Sequence, residues 1–205
     1  MPSIAILGAS GHGKVIAEIA ELNGYNEIHF FDDRWPDLIH LEHWRVSSDS
    51  KFLLANHQQY DAVVIAIGNN AIRLSKHQQL EKCGATLVPL IHPSAVVSKY
   101  AVIEAGTVIM ANATVNSFTT VGKSSIINTN SSVDHDCKLS DCVHISPGAN
   151  LAGGVTVGSC SWIGIGAQVK QLVTIGDKVI VGAGSTVINR VPDGKTVVGT
   201  PADVI

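Results

Sequence analysis

His135 stands between two carboxylates in Val133-Asp134-His135-Asp136-Cys137, and a second histidine, His144, follows shortly after. An imidazole titrates near neutrality, so His135 is suited to taking a proton from an attacking nucleophile while Asp134 or Asp136 orients it and stabilises the imidazolium. On the residues alone, two solvent-facing histidines with no chemistry remain an alternative. A second constellation lies at the opposite end of the chain. The turn Gly8-Ala9-Ser10-Gly11-His12-Gly13-Lys14 offers backbone N–H groups at a helix start, where a diphosphate could rest. It has the spacing of a P-loop but carries Val15 where a magnesium-binding Ser or Thr is needed, and its glycines are misplaced for a dinucleotide fingerprint. A single nucleotide is the better expectation, and a tight turn without a ligand the alternative.

The elements that must position His135 follow a ruler. Every sixth residue from Ile91 to Val187 is Ile, Val or Leu, seventeen positions in succession. A period of six predicts a parallel β-helix, in which each hexad makes one short strand and one corner and three hexads close a triangular coil of about eighteen residues. The mostly small residue two places before each aliphatic one, such as Ala113, Thr119, Ser125 or Cys137, also turns inward. His135 then falls at a corner outside the core, and His144 points outward. Gly153, eighteen residues past His135, places a backbone N–H on the next coil about 4.8 Å away, a candidate oxyanion donor. Ile165 and Ala183 are stacked in the same way and would both meet a ligand lying along the axis. Glycines recur one or three residues after the aliphatic position, where corners need backbone freedom. A rod of coils has no concave pocket of its own, so a groove between two rods and a homo-oligomer are expected.

Ahead of the repeat, strand and helix alternate: a strand over 3–7, the glycine turn, a helix over 14–23, a strand over 27–31 leading to Asp32-Asp33, a strand over 61–67 leading to Gly68-Asn69-Asn70, a helix to about 82, and a strand over 86–90. This is half of a doubly wound fold, whose ligands lie at the carboxyl ends of the strands. Asp32 stands near the position of a ribose-binding acid. Residues 34–59 show no clear periodicity; His40 and His43 would share a face if the segment were helical, with a surface pair favoured over a metal site. The expected domains are 1–88, an α/β half-Rossmann unit, and 89–205, the β-helix.

Composition narrows the partners. A formal net charge of −3 and 15% charged residues leave no basic footprint for nucleic acid or an anionic membrane. No leader peptide and no bilayer-spanning run is read, which favours a cytoplasmic protein with reduced thiols, including Cys142 and Cys160, which should stack on successive coils. Asp134, His135, Asp136, Cys137, Cys142 and His144 are all metal-ligand types, but Cys137 points inward while His135 points outward, so no metal is expected.

Over nearly its whole length the chain resembles the hexapeptide-repeat acetyltransferases of nucleotide-linked amino sugars, particularly the UDP-4-amino-sugar N-acetyltransferases of bacillosamine synthesis. The resemblance is carried by Gly8 to Gly13, Phe31-Asp32-Asp33, Ala66-Ile67-Gly68-Asn69-Asn70 with Ile72-Arg73, Asn128-Thr129, Val133 to Cys137 with His144, and Val198-Gly199-Thr200-Pro201-Ala202. It implies a left-handed β-helix, a homotrimer with sites between subunits, and acetyl-CoA as donor. It further implies His135 as general base with Asp136 as partner, and His144, Gly153, Ile165 and Ala183 lining the acetyl-CoA groove. Asn128 would touch the sugar; Gly11, His12, Gly13, Asp32, Asp33, Arg34, Gly68, Asn69, Asn70 and Arg73 would hold the nucleotide. Arg34 replaces the lysine of similar enzymes, and Asp136 their glutamate. Sialic acid O-acetylation and a noncatalytic nucleotide-sugar-binding scaffold are the rival readings.

Overall fold

The computed structural model describes residues 1–205, which divide into two compact units, Met1–Ile91 and His92–Ile205. No helix is long and apolar enough to cross a membrane. In the first unit, β1 (Ser3–Leu7), β2 (Glu27–Phe31), β4 (Trp44–Ser48) and β5 (Ala62–Ile65) form a parallel sheet in the order β4-β2-β1-β5, with β3 (His40–Leu41) antiparallel to β4 at one edge. Every residue of β1 is buried, as expected of a central parallel strand covered on both faces. The helices are α1 (Gly11–Leu22), α2 (Ser50–Asn56) and α3 (Asn70–Lys82). One face packs Ala5, Leu7, Phe31, Leu53, Val63, Ile65 and Leu80 together.

Three details of this unit depart from the sequence reading. The strand expected over 86–90 is reduced to one parallel bridge, Leu87 to Val63. The segment around His40 and His43 is a hairpin, not a helix: Glu42 adopts φ +55° in its turn, so the two imidazoles do not share a helical face. α1 begins at Gly11, three residues before the expected start, because two of the glycines belong to its first turn. Gly13 is required there by space, since a Cβ would stand 2.6 Å from the Gly8 carbonyl oxygen and 3.0 Å from the Phe30 ring.

The second unit is a left-handed parallel β-helix. Two-residue strands stack with an offset of eighteen residues, for example Ser132–Val133 on Thr114–Val115 and beneath Asn150–Leu151. They form three sheets: one through Val96, Ser132 and Gln168, a second through Val102, Lys138 and Thr174, and a third through Ile126, His144, Trp162 and Ile180. The aliphatic series is buried from Ile109 to Val187, while Val97 and Ile103 of the first coil are only half-buried. The inward hydroxyls are satisfied by carbonyls, as in Thr119 Oγ1 to Asp134 O at 2.6 Å and Ser161 Oγ to Gly176 O at 2.7 Å.

The corners contain one left-handed residue per hexad. Gly106, Asn112, Phe118, Ser124, Asn130, Asp136, Cys142, Gly148, Gly154, Cys160, Gly166, Leu172, Lys178 and Gly184 all have φ between +47° and +74°. The glycines three places after the aliphatic position thus serve backbone conformation. Those one place after it do not. A Cβ at Gly122 would lie 2.6 Å from the Ser140 carbonyl carbon, so what that position lacks is room.

Candidate active site

The corner 134–137 builds the first half of the site. Its Asp134 Oδ1 accepts from the His135 N–H at 2.8 Å and from Asn116 Nδ2 at 2.8 Å on the preceding coil, which fixes the backbone under the histidine. Asp136, at φ +59°, turns its carboxylate back so that Oδ2 lies 2.7 Å from His135 Nδ1. Asp136 is therefore the orienting acid, and Asp134, 4.0 Å from Nε2, acts on the loop. With Nδ1–H directed to Asp136, Nε2 keeps its lone pair. Both carboxylates hold the exposed imidazole's pKa above its ordinary value, the bond to Asp136 foremost.

Gly153 lies against this ring from the next coil. A Cβ there would come within 2.6 Å of both Cε1 and Nε2 of His135, and the Gly153 N–H makes no hydrogen bond within the chain. A preorganised donor beside a base suits an oxyanion that forms as a proton leaves. Asp134, His135, Asp136, Ala152, Gly153, Gly154, Gln171 and Leu172 line a cavity of about 410 Å³. Cys137 is no nucleophile: its Sγ is buried, directed to Ala152 O at 3.4 Å, and burial pushes its thiol pKa up.

His144, on the third sheet, and Ile165 and Ala183, in the corners that follow that sheet's strands, lie away from the corner of His135. They line an apolar groove of about 510 Å³ with Trp162, Gly164, Ile180 and Gly182. His144 points outward as expected but is only 8% exposed, because Trp162 stacks on it at 4.9 Å with its indole N–H held by Ser146 Oγ at 2.6 Å. Asn128 joins these residues too. Its Oδ1 accepts from Thr129 N at 2.8 Å, which directs Nδ2 to His144 Nε2 at 3.1 Å. Within one chain Gly153 therefore belongs with His135, and the other three groove residues with Asn128. Trp162 was missed from the sequence, although the eighteen-residue offset from His144 points directly at it.

In the first unit the N–H groups of Gly11, His12 and Gly13 open α1, and Ser10 caps it without a side-chain bond. His12 Nε2 is buried without a hydrogen-bond partner, and burial, reinforced by the Arg73 charge, lowers its pKa to about 4. Asp32 is saturated: Oδ2 accepts from Ala9 N at 2.8 Å and Arg34 Nη2 at 2.9 Å, and Oδ1 from Arg34 N at 3.0 Å and Nε at 2.8 Å. It is thus poorly placed to read a ribose hydroxyl and instead fixes Arg34, whose Nη2 also reaches Ala9 O at 2.6 Å. Asp33 accepts from Ser50 N at 2.9 Å and Lys76 Nζ at 3.2 Å. Arg73 is buried and ties down the loop after β5 through Ile67 O at 2.8 Å, Gly68 O at 3.0 Å and Asn70 Oδ1 at 2.7 Å. Asn69 caps α3 through Ile72 N at 3.0 Å. Among the nucleotide candidates, Asn69, Asn70 and Arg73 thus have structural engagements, while His12 Nε2 keeps no hydrogen-bond partner. No group of three or more His, Cys, Asp or Glu could hold a metal ion.

Residues 3–80 match the family model of the PglD N-terminal domain. A UDP-N-acetylbacillosamine N-acetyltransferase of Bacillus subtilis (strain 168) is 39% identical over 113 residues, so the match spans about half of each protein, 54% of this chain and 52% of the relative. Among solved structures, the acetyltransferase domain of PglB from Neisseria gonorrhoeae FA1090 is 42% identical, with TM-score 0.95 and 100% of both chains covered. The same domain has been solved in complex with acetyl coenzyme A. A mutant perosamine N-acetyltransferase from Caulobacter crescentus, in complex with CoA and GDP-perosamine, is 34% identical, with TM-score 0.95, covering 100% of this chain and 97% of that one.

Proposed function

The chain belongs to the hexapeptide-repeat acetyltransferases of nucleotide-linked amino sugars, and from that premise we propose that it transfers acetyl from acetyl-CoA to the 4-amino group of a nucleotide-linked amino-deoxy sugar, with a uridine diphosphate carrier. The observation that carries this reading is the His135 constellation: Nδ1 held by Asp136 at 2.7 Å, Nε2 available as base, and the Gly153 N–H against the same ring.

The amine nitrogen attacks the thioester carbonyl carbon as Nε2 removes one of its protons, and Gly153 N–H steadies the oxyanion. Collapse breaks the C–S bond, and the coenzyme thiolate takes up a proton. No acyl-enzyme forms, in keeping with the inert Cys137. The α1 N-terminus with His12, Arg34 and the Asp33 neighbourhood holds the nucleotide. The groove of His144, Ile165 and Ala183 takes the coenzyme. Because that groove and His135 occupy different corners of one chain, the working site requires adjoining copies, and a homotrimer meets the need. Acetyl-CoA and nucleotide sugars are shared in the cytoplasm, where we place the reaction.

The test is a panel of 4-amino sugars linked to UDP, GDP and dTDP, with acetyl-CoA as donor. Turnover of a UDP-linked member, with His135→Ala lowering it by about 10² to 10⁴ at unchanged oligomer mass, is the expected result. Preferential acetylation of a hydroxyl on sialic acid, or binding of nucleotide sugars without turnover, would replace this reading with one of its rivals.

A further inference from the structure

Phe118 and Leu172 occupy left-handed corner positions, at φ +61° and +63°, yet neither has the short polar side chain or missing Cβ that eases that conformation. Both are also highly exposed, 67% for Phe118 and 79% for Leu172, and Tyr100 one coil before Phe118 is 54% exposed. Strain and exposed apolar surface at one place are a double cost. All three lie along the corner that carries His135 and Asp136, Phe118 on the coil before Asp136 and Leu172 on the coil after Gly154.

The rings of Tyr100 and Phe118 are near parallel, with centroids 5.4 Å apart and planes 19° apart. That separation is close to the rise between coils, about 4.8 Å, so the stack runs along the prism axis. The next position in the stack, above the outer face of Phe118, is at the level of His135. Asp136 does not fill it, because its carboxylate is turned to the imidazole. On the far side, Leu172 Cδ2 closes over Gly154, where a Cβ would stand 2.7 Å away.

We propose that Tyr100 and Phe118 form a stacking platform for the pyranose ring of the acceptor. This rests on the reading of the chain as a nucleotide-sugar acetyltransferase and adds the acceptor's place in it. With the thioester oxygen on Gly153, the donor occupies the C-terminal side of the imidazole. The amine must reach both the carbonyl carbon and Nε2, which leaves its ring the N-terminal side, over Phe118. An aromatic face there meets the apolar C–H face of a pyranose, while Ser117 and Lys99 beside it, the latter with Nζ 4.9 Å from the Tyr100 centroid, can bond the sugar's oxygens. A deoxy sugar, richer in apolar surface, fits this platform better than a fully hydroxylated one.

The experiment compares native protein, Phe118→Ala, Tyr100→Ala and Phe118→Tyr with the acceptor found in the sugar panel, reading both KM values, kcat and oligomer mass. Phe118→Ala should raise the acceptor KM by roughly 3- to 10-fold, the size of one lost ring contact. The acetyl-CoA KM and the mass should not move, Tyr100→Ala should show a smaller rise, and Phe118→Tyr should restore the native value. An unchanged acceptor KM in Phe118→Ala, beside a turning-over native enzyme, sinks the platform alone. Dissociation of the oligomer in that variant assigns the corner to a second copy of the chain and also overturns the proposal. No turnover by the native enzyme on any member removes the functional reading and the platform with it.

Discussion

The proposed role of His135 as base rests on its immediate neighbours. The carboxylates raise its pKa, Asp136 more than Asp134, and only the neutral ring can accept a proton. The rate should therefore rise with pH, with its ascending limb above the ordinary histidine value of 6.5. Replacing Asp136 with Asn should move that limb downward and lower the plateau. A pH profile of acceptor kcat/KM in which the limb of the variant stays in place would show that another group titrates. The sequence made His135 legible because the six-residue ruler put it on a corner between two acids. It could not say which acid serves, since that depends on the left-handed turn at Asp136, a backbone property that Asn, Ser, Phe and Leu share at equivalent corners.

At the level of the strand and corner, the same ruler makes quantitative demands. Gly153→Ala would force a methyl against the imidazole, at 2.6 Å before relaxation, and displacement of a catalytic group by about 1 Å costs on the order of 10² in rate. Its melting temperature should barely change, because the Gly153 φ is not left-handed. Activity near the native level would show that the ring does not need its present position. Within the core, Ile145→Ala should cost about 2–5 kcal/mol. Ile103→Ala, at the half-buried first coil, should cost less, and urea midpoints of the two variants check the order. The hexad pattern disclosed the coil strands from Leu90–Ile91 to Thr186–Val187, since one aliphatic residue per strand is both the signal and the structural cause, but not Thr196–Val198, which pairs with Ile180–Val181 outside that register. Shorter-range grammar did less well: the hairpin around Glu42 has strands of two and five residues, too short for a period to declare itself. The start of α1 was obscured by its glycines, of which Gly13 is placed for room against Gly8 and Phe30. The Trp162 clamp on His144 joins residues distant in the chain and adjacent on the ladder, so only coil arithmetic could reveal it.

For the whole molecule, the two units should respond differently to acid. In the first, His12 is neutral with a pKa of about 4 against a reference of 6.5. Between those values the unfolded chain binds a proton that the folded chain refuses, so the associated stability is complete above pH 6.5 and drains away as pH falls toward 4, by up to about 3 kcal/mol. His12→Gln should flatten that slope, and chemical denaturation followed through Trp44 across the window measures it; an identical slope in the variant would falsify the assignment to His12. The division into a nucleotide-type sheet and a stacked prism was readable from alternation giving way to a period of six. What escaped was the engagement of Asp32 with Arg34, because a pattern of residue types does not reveal when a carboxylate has already spent its lone pairs inside its own loop.

The ladder offset of eighteen between neighbouring strands also limits how the gene can change in length. One extra amino acid in a corner of the prism would be a local blister, whereas inserting a hexad would rotate everything downstream to the next sheet. Only a duplication of a whole turn returns each side chain to its column. Even that neutral-looking edit, placed between His135 and Gly153, would lift the Gly153 N–H one storey away from the His135 ring, which the proposed mechanism does not allow.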